Sequence, residues 1–398
     1  MIALIDADGF FASCELSRHP ELKGKPVMVL GSIGSFVLAK SQEAKERGVK
    51  TVMPYWEAKK LCPEGVFLEG DFRFYTLVSR KLMGILREWS PSVQVSSIDE
   101  AYMDLKGLSE MHGKTDWEIG EMIRQEVEIK LGITVTVGIS VNKVLSKMAC
   151  ELKKPNGTAV LLREDIPEFL TKMEIEKIPG IGHRKQKALE GYGFKTAYEL
   201  SLLSTTMVKN LFGRNGLMLW RELKGEYMFR VETVRKAPKQ IGRTSSFHKP
   251  TSNMRDLEGL AFYHLERSME ALHRDELSAG EIHLYLRDQE FKRSYLTNSF
   301  ERPTDDFSQL TKALQKLLRQ IPPGKTWRSA GILLTDLRSS KIKQLSLFEG
   351  AEKIQKEEEL NHAKDALNKR FGQFTVTTAS SLFFERKRRG KEEKLGII

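Results

Sequence analysis

From Met1 to about Gly157, short apolar runs alternate with amphipathic stretches, and this alternation constrains the chain more than any other feature. The runs Ile2–Ile5, Val27–Leu30, Val66–Leu68, Val93–Val95, Tyr102–Leu105 and Ile133–Ile139 read as strands, with helices between them. The segment is therefore a mixed α/β unit. A helix is expected from Ser140 as N-cap, because Val141, Leu145, Met148, Ala149 and Leu152 share one face. It stops at the breaker Lys154-Pro155-Asn156-Gly157.

Residues from about Asp165 to Met228 lack strand signals and carry short helical patterns broken by glycine, as in Ile178-Pro179-Gly180-Ile181-Gly182. A small all-helical unit follows from that. Between Arg235 and Lys249 lie Arg235, Lys236, Lys239, Arg243 and Lys249 with no acidic residue, a charged tether. A second α/β pattern comes next: a strand near Ile241–Phe247, a helix near Asp256–Arg274, strands Glu281–Arg287 and Arg293–Ser299, a helix near Phe307–Gln320 and a strand Ser329–Arg338. Its order is βαββαβ, a four-stranded unit with helices on one face. After about Gly350 the pattern assigns no fold.

The 398 residues suffice for about two to four domains. No repeat of roughly 20 to 50 residues occurs, which argues against solenoids. A 40% hydrophobic and 29% charged chain is globular rather than disordered, and its net charge of +11 favours a polyanionic partner without naming one. Cys14, Cys62 and Cys150 form no Cys-x-x-Cys pair and are odd in number, so neither a disulfide framework nor a zinc site is supported. No apolar run approaches the roughly 18 residues of a membrane span, and Met1 leads directly into the first strand without a basic leader. A reducing cytosol is the expected compartment.

Asp6-Ala7-Asp8 follows at once on the first strand, which places its carboxylates where that strand leaves the core. Asp99-Glu100 falls between two strands, as at a hairpin tip, where a turn lets neighbouring side chains converge. Clustered carboxylates repel unless divalent cations neutralise them, and an all-oxygen ligand set favours Mg²⁺. Two such ions would clamp the attacking and leaving oxygens of an in-line phosphoryl transfer. A single strand-end acid is ordinarily a solvated turn residue, and spacing alone does not separate the two readings.

Asp6-Ala7-Asp8-Gly9-Phe10-Phe11 through Glu15, together with Ser97-Ile98-Asp99-Glu100-Ala101-Tyr102, resembles the paired catalytic motifs of the Y-family DNA polymerases. Val137-Gly138-Ile139-Ser140, Asn142-Lys143 and Lys154-Pro155-Asn156-Gly157 match a later motif of the same family. The resemblance is dense over the first 160 residues and follows the family's layout to about residue 340. It implies an α+β multidomain right-hand polymerase: a ferredoxin-like palm at 1–12 and 72–160, fingers at 13–71, a helical thumb at 161–232, a basic linker at 233–240, a βαββαβ little finger at 241–342 and a tail at 343–398.

By that resemblance Asp6, Asp99 and Glu100 would hold two Mg²⁺ ions, with the Ala7 carbonyl as a further ligand. Asp8, Gly9, Phe10, Phe11, Gln42, Lys45 and Lys154 would bind the nucleotide. Asp8 has an alternative as a structural acid bonded to nearby backbone. Phe11 matches the steric gate that excludes a 2′-hydroxyl by volume, while at least one of Phe10 and Phe11 is expected in the core. Lys154 would reach the triphosphate. Gln42 and Lys45 stand where many members carry Tyr and Arg, which is closer to the UmuC-like bacterial branch. Lysine lacks arginine's planar bidentate contact.

Gly180 and Gly182 would form a helix-hairpin-helix turn on DNA phosphates, and Lys236, Lys239, Arg243, Lys292, Arg293 and Arg328 would track the backbone. Gln344, Leu345, Ser346, Leu347 and Phe348 resemble the peptide by which bacterial polymerases bind the β sliding clamp. The function implied is error-prone translesion synthesis in the DNA damage (SOS) response. A cytoplasmic monomer would act on primer-template DNA and deoxynucleoside triphosphates. The rivals are a non-catalytic, clamp-tethered DNA-binding protein and a palm-type nucleotide cyclase.

Overall fold

The computed structural model describes residues 1–31, 35–234, 236–340 and parts of 359–383. The chain divides into two compact units, Met1–Arg235 and Lys236–Ile398. Among the described residues no helix is long and apolar enough to cross a membrane.

The first unit opens with β1 (Ile2–Ala7) and α1 (Phe10–Arg18), followed by β2 (Val27–Leu30), β3 (Val37–Lys40), α2 (Gln42–Glu46), α3 (Tyr55–Leu61) and β4 (Val66–Glu69). Next come α4 (Phe72–Trp89), β5 (Val93–Val95), β6 (Glu100–Asp104), α5 (Leu108–His112), α6 (Asp116–Leu131), β7 (Val135–Ser140), α7 (Lys143–Lys153) and β8 (Thr158–Val160). The helices α8 (Ile166–Lys172), α9 (His183–Gly191), α10 (Ala197–Ser201) and α11 (Thr205–Leu223) complete it. Its main sheet has the order β5-β6-β1-β7-β8, and a second sheet has the order β3-β2-β4. Strand β3 had no place in the sequence pattern, because Leu38-Ala39-Lys40 lacks the β-branched content of a strand and is only half-buried.

Strand alternation sorts the side chains of β1. Ala3, Ile5 and Ala7 join Leu82 and Leu86 of α4 and Ile119 and Ile123 of α6 in one core. Leu4 and Asp6 thus face the other side of the sheet, where α7 lies. Gly138 of β7, opposite Leu4, allows that approach. A Cβ there would overlap the Ser146 carbonyl and the main chain of Cys150, so α7 rests directly on the strand.

The helix begins two residues later than expected. Ser140 still pairs with Ile2 at the end of β7, and its hydroxyl donates to the Leu161 carbonyl at 2.9 Å. The cap is Asn142, whose Oδ1 accepts the Leu145 N–H at 3.0 Å.

The helices α8 to α11 pack with α7 through a shared core that includes Leu145, Met148, Leu170, Leu200 and Leu223. Glu222 is fully buried at this junction. Its carboxylate accepts the N–H groups of Val144 at 3.0 Å, Met228 at 3.1 Å and Phe229 at 2.7 Å. Asn142 Nδ2 donates to the carbonyls of Glu222 at 2.7 Å and Glu226 at 2.8 Å. Burial raises the Glu222 carboxyl above its usual range, and the N–H donors oppose that rise.

The second unit has the expected βαββαβ order: β9 (Ile241–Thr251), α12 (Met254–Arg274), β10 (Leu277–Asp288), β11 (Arg293–Thr304), α13 (Phe307–Leu318) and β12 (Trp327–Ser339). The sheet order is β11-β10-β12-β9, antiparallel throughout. Its strands run past their apolar alternation because pairing continues into polar residues. Ile282, Leu284, Leu286, Ile332 and Leu334 meet both helices in one core. Part of the C-terminal segment docks on α12, where Thr377 Oγ1 and the Thr378 N–H donate to Glu266 at 2.6 and 2.8 Å. The clamp-like residues Gln344, Leu345, Ser346, Leu347 and Phe348 lie outside the described residues.

Candidate active site

Antiparallel pairing of β1 with β6 sets Asp6 directly opposite Glu100, and the Ala7 N–H donates to the Asp99 carbonyl at 2.9 Å. Two strand ends distant in sequence thus bring Asp6, Ala7, Asp99 and Glu100 together where β1 ends and β6 begins. Ser97 shapes the hairpin: its hydroxyl donates to Asp99 Oδ1 and accepts the Glu100 N–H at 3.0 Å. Burial raises the Asp6 carboxyl to about 6, with Asp99 and Glu100 adding to the rise and Lys154 opposing it. A carboxyl that senses two neighbouring acids sits in their company.

The helix α7 supplies the counter-charge. Lys154, its C-cap, places Nζ 2.9 Å from Asp6 and 2.9 Å from Glu151. Burial disfavours that ammonium, yet the two carboxylates hold it above its ordinary range. Lys147 places Nζ 2.7 Å from Glu100 Oε2, and the Ser96 hydroxyl donates to Oε1 at 2.7 Å. Burial works against the charge of Glu100, but Lys147 and Ser96 keep its carboxyl below the usual range. Among the described residues no group of three or more acidic, His or Cys side chains is arranged as a ready metal cage. Asp6, Asp99 and Glu100 are all hard oxygen donors, the ligand chemistry that suits a Mg²⁺ ion which retains water and shares phosphate ligands.

Asp8 has both carboxylate oxygens engaged. Thr136 Oγ1 donates to Oδ1 at 2.7 Å and the Asn156 N–H to Oδ2 at 2.9 Å. The side chain therefore ties the end of β1 to the turn after Lys154, the structural alternative for this acid. Gly9 caps α1 with φ +52°, and a Cβ there would lie 3.0 Å from the Lys40 carbonyl. Phe10 is buried in the core, whereas Phe11 is half-buried. The Phe11 ring stacks on Tyr75 with centroids 4.7 Å apart and meets Phe72 edge-on at 5.7 Å. Tyr75 is itself fixed by donating to buried Glu15 at 2.6 Å. Gln42 and Lys45 are exposed on α2, with Gln42 Nε2 donating to Glu46 at 3.1 Å. Nearby Lys40 donates to Thr51 Oγ1 at 2.9 Å, and burial together with Lys45 lowers its ammonium below the ordinary range.

Residues 5–151 match the impB/mucB/samB family, residues 238–347 its C-terminal domain and residues 163–194 its HHH motif. The chain is 32% identical over 383 residues to DNA polymerase IV of Desulfatibacillum aliphaticivorans, covering 96% of both proteins. The chain belongs to the Y family of DNA polymerases. DNA polymerase IV 1 of Bacillus subtilis (strain 168) is 31% identical over 385 residues, covering 95% of this chain and 92% of that protein. A solved Y-family DNA polymerase chimera, Dbh-Dpo4(243-245)-Dbh, superposes with a TM-score of 0.73 at 25% identity, covering 85% of this chain and all of the other. The insertion ternary complex of Dbh DNA polymerase gives a TM-score of 0.60 over the same share.

In this Y-family chain, the HHH match spans the turn that carries Gly180, with φ +88°, and Gly182, the N-cap of α9. The helix before the turn is only the short 3₁₀ segment Ile175–Lys177. Lys236 and Lys239 are exposed on the tether.

In the second unit, strand alternation splits the basic set. Arg287 pairs with Arg293 and Tyr285 with Tyr295, on the sheet face opposite to the helices. Two arginines directly across from each other are unfavourable without an anion. Arg287 and Arg328 both lie over the Phe291 ring, at 4.6 and 4.8 Å, and Lys292 is exposed beside them. Arg243 departs from this group: it pairs with core residue Ile332, so it points to the face that α12 and α13 cover.

Lys147 and Tyr75 carried no assignment in the sequence. The one signal available for Lys147 was its place seven residues before Lys154, two turns along the same helical face.

Proposed function

We propose that this Y-family chain performs error-prone translesion synthesis, extending a DNA primer from deoxynucleoside triphosphates opposite damaged template. The observation that carries this reading is the register that sets Asp6 against Glu100 with Asp99 bonded to Ala7 beside them. Asp6, Asp99, Glu100 and the Ala7 carbonyl would hold two Mg²⁺ ions, which when bound polarise the attacking hydroxyl and the leaving pyrophosphate. The chain's own residues do the rest. Lys154, whose ammonium lies 2.9 Å from Asp6, would stabilise negative charge on the triphosphate, and the N–H groups of Gly9 to Phe11 at the start of α1 would turn toward it, the Asp8 N–H being held by the Thr134 carbonyl. Gly180, Gly182, Lys236, Lys239, Lys292, Arg293 and Arg328 would hold the DNA backbone, and Gln42 with Lys45 suits a UmuC-like fingers surface.

A cytoplasmic monomer tethered to the sliding clamp through Gln344–Phe348 completes the proposal. A non-catalytic DNA-binding role is less well supported, because it gives no use to the full set of acids. Primer extension on undamaged and abasic templates tests the reading: synthesis past the abasic site is expected, and a full stop one nucleotide before it would remove the translesion role.

Phe11 is the proposed gate against ribonucleotides, its ring held by Tyr75 and Phe72. Phe11→Ala should raise the kcat/KM for a ribonucleotide relative to its deoxy counterpart by roughly a hundredfold, because the ring's volume is the proposed barrier to the 2′-hydroxyl. An unchanged ratio would assign the ring to packing alone.

A further inference from the structure

The roles proposed so far leave Lys147 unused. Its ammonium is half-buried and meets Glu100 Oε2 at 2.7 Å, the only hydrogen bond it makes among the described residues. Ser96 already occupies Oε1. The helix that carries Lys147 is held firmly: Gly138 seats it on β7, Asn142 caps it and Glu222 binds its first turn. The ammonium is therefore delivered from a fixed support, and Glu100 is kept pointing into the patch it shares with Asp6.

We propose that Lys147 is an internal counter-ion for Glu100, holding its carboxylate in place until a divalent cation arrives and competing with that cation for Oε2. This rests on the reading of Glu100 as a cation ligand. Three acids in one patch repel one another, and an ammonium on α7 relieves part of that repulsion without leaving the protein dependent on bound metal to stay folded. A divalent cation brings twice the charge and takes over the oxygen, and the four-carbon stem lets the ammonium withdraw. Lys147 is thus a positioning residue that acts through Glu100.

The test is Mn²⁺ binding to the full-length, DNA-free protein, followed by the electron paramagnetic resonance signal of the free ion. Lys147→Met keeps the stem and removes the charge. It should bind Mn²⁺ at least about threefold more tightly, the scale of a half-exposed ion pair, and melt at a lower temperature without metal. Lys147→Arg should stay close to the wild type in both. Unchanged or weaker Mn²⁺ binding by Lys147→Met would overturn the proposal. Asp99→Ala in the same assay separates the two ideas: if it leaves wild-type Mn²⁺ affinity intact, the cation is bound elsewhere, and the site reading fails along with its counter-ion.

Discussion

Asp99→Ala should abolish primer extension in Mg²⁺, lowering kcat/KM by a factor of about 10³ or more while primer-template binding changes less than about threefold. The side chain lies in the β5–β6 hairpin and, among the described residues, bonds only to the Ser97 hydroxyl. The contact that joins the hairpin to β1 runs from the Ala7 N–H to the Asp99 carbonyl, which alanine retains. The fold therefore survives and the chemistry does not. On the reading proposed above, losing one of three acids removes a hard oxygen ligand from cations that must be accurately placed against the reacting oxygens. The DNA contacts proposed above fall to other residues, which this substitution leaves unchanged. Extension by the variant at the wild-type rate would take the catalytic assignment away from Asp6, Asp99 and Glu100 together.

Glu222→Ala should destabilise the protein by roughly 3 kcal/mol, read as a fall in the urea midpoint of the first unit's unfolding. Alanine leaves the N–H groups of Val144, Met228 and Phe229 without their acceptor in a fully buried junction. Glu222→Gln keeps one oxygen and should cost less. The pH dependence follows from the raised carboxyl. The folded protein holds the proton more readily than the unfolded chain, so this contribution to stability is complete below the unfolded value and is lost as pH rises through the folded one. Glu222→Gln should flatten that part of the profile. An alanine variant as stable as the wild type would mean that the apolar contacts and the Asn142 amide suffice to join α7 to the segment after α11.

Much of the architecture could be read from local pattern. Short apolar runs located six of the eight strands in the first unit, and the βαββαβ order of the second emerged whole, because burial leaves a local mark in the order of apolar residues. The strand-end placement of Asp6 and the hairpin placement of Asp99 were also visible, since each depends only on where an apolar run stops. Strand β3 and the Asn142 cap were not. A strand as short as Val37–Lys40 exists because β2 is there to pair with it, and Ser140 is as good a cap as Asn142 until β7 claims it.

Local order along the chain determined which residues form strands and helices, and which acids stand at their ends. Tertiary structure alone decided what those residues face. Register set Asp6 against Glu100, the missing side chain of Gly138 let α7 bring Lys147 and Lys154 to the two acids, and strand pairing turned Arg243 toward the helices. The physical reason is range: periodicity is written by neighbours a few residues apart, whereas the partner of a charge is chosen by whichever distant backbone packs closely enough to bring an opposite charge to it.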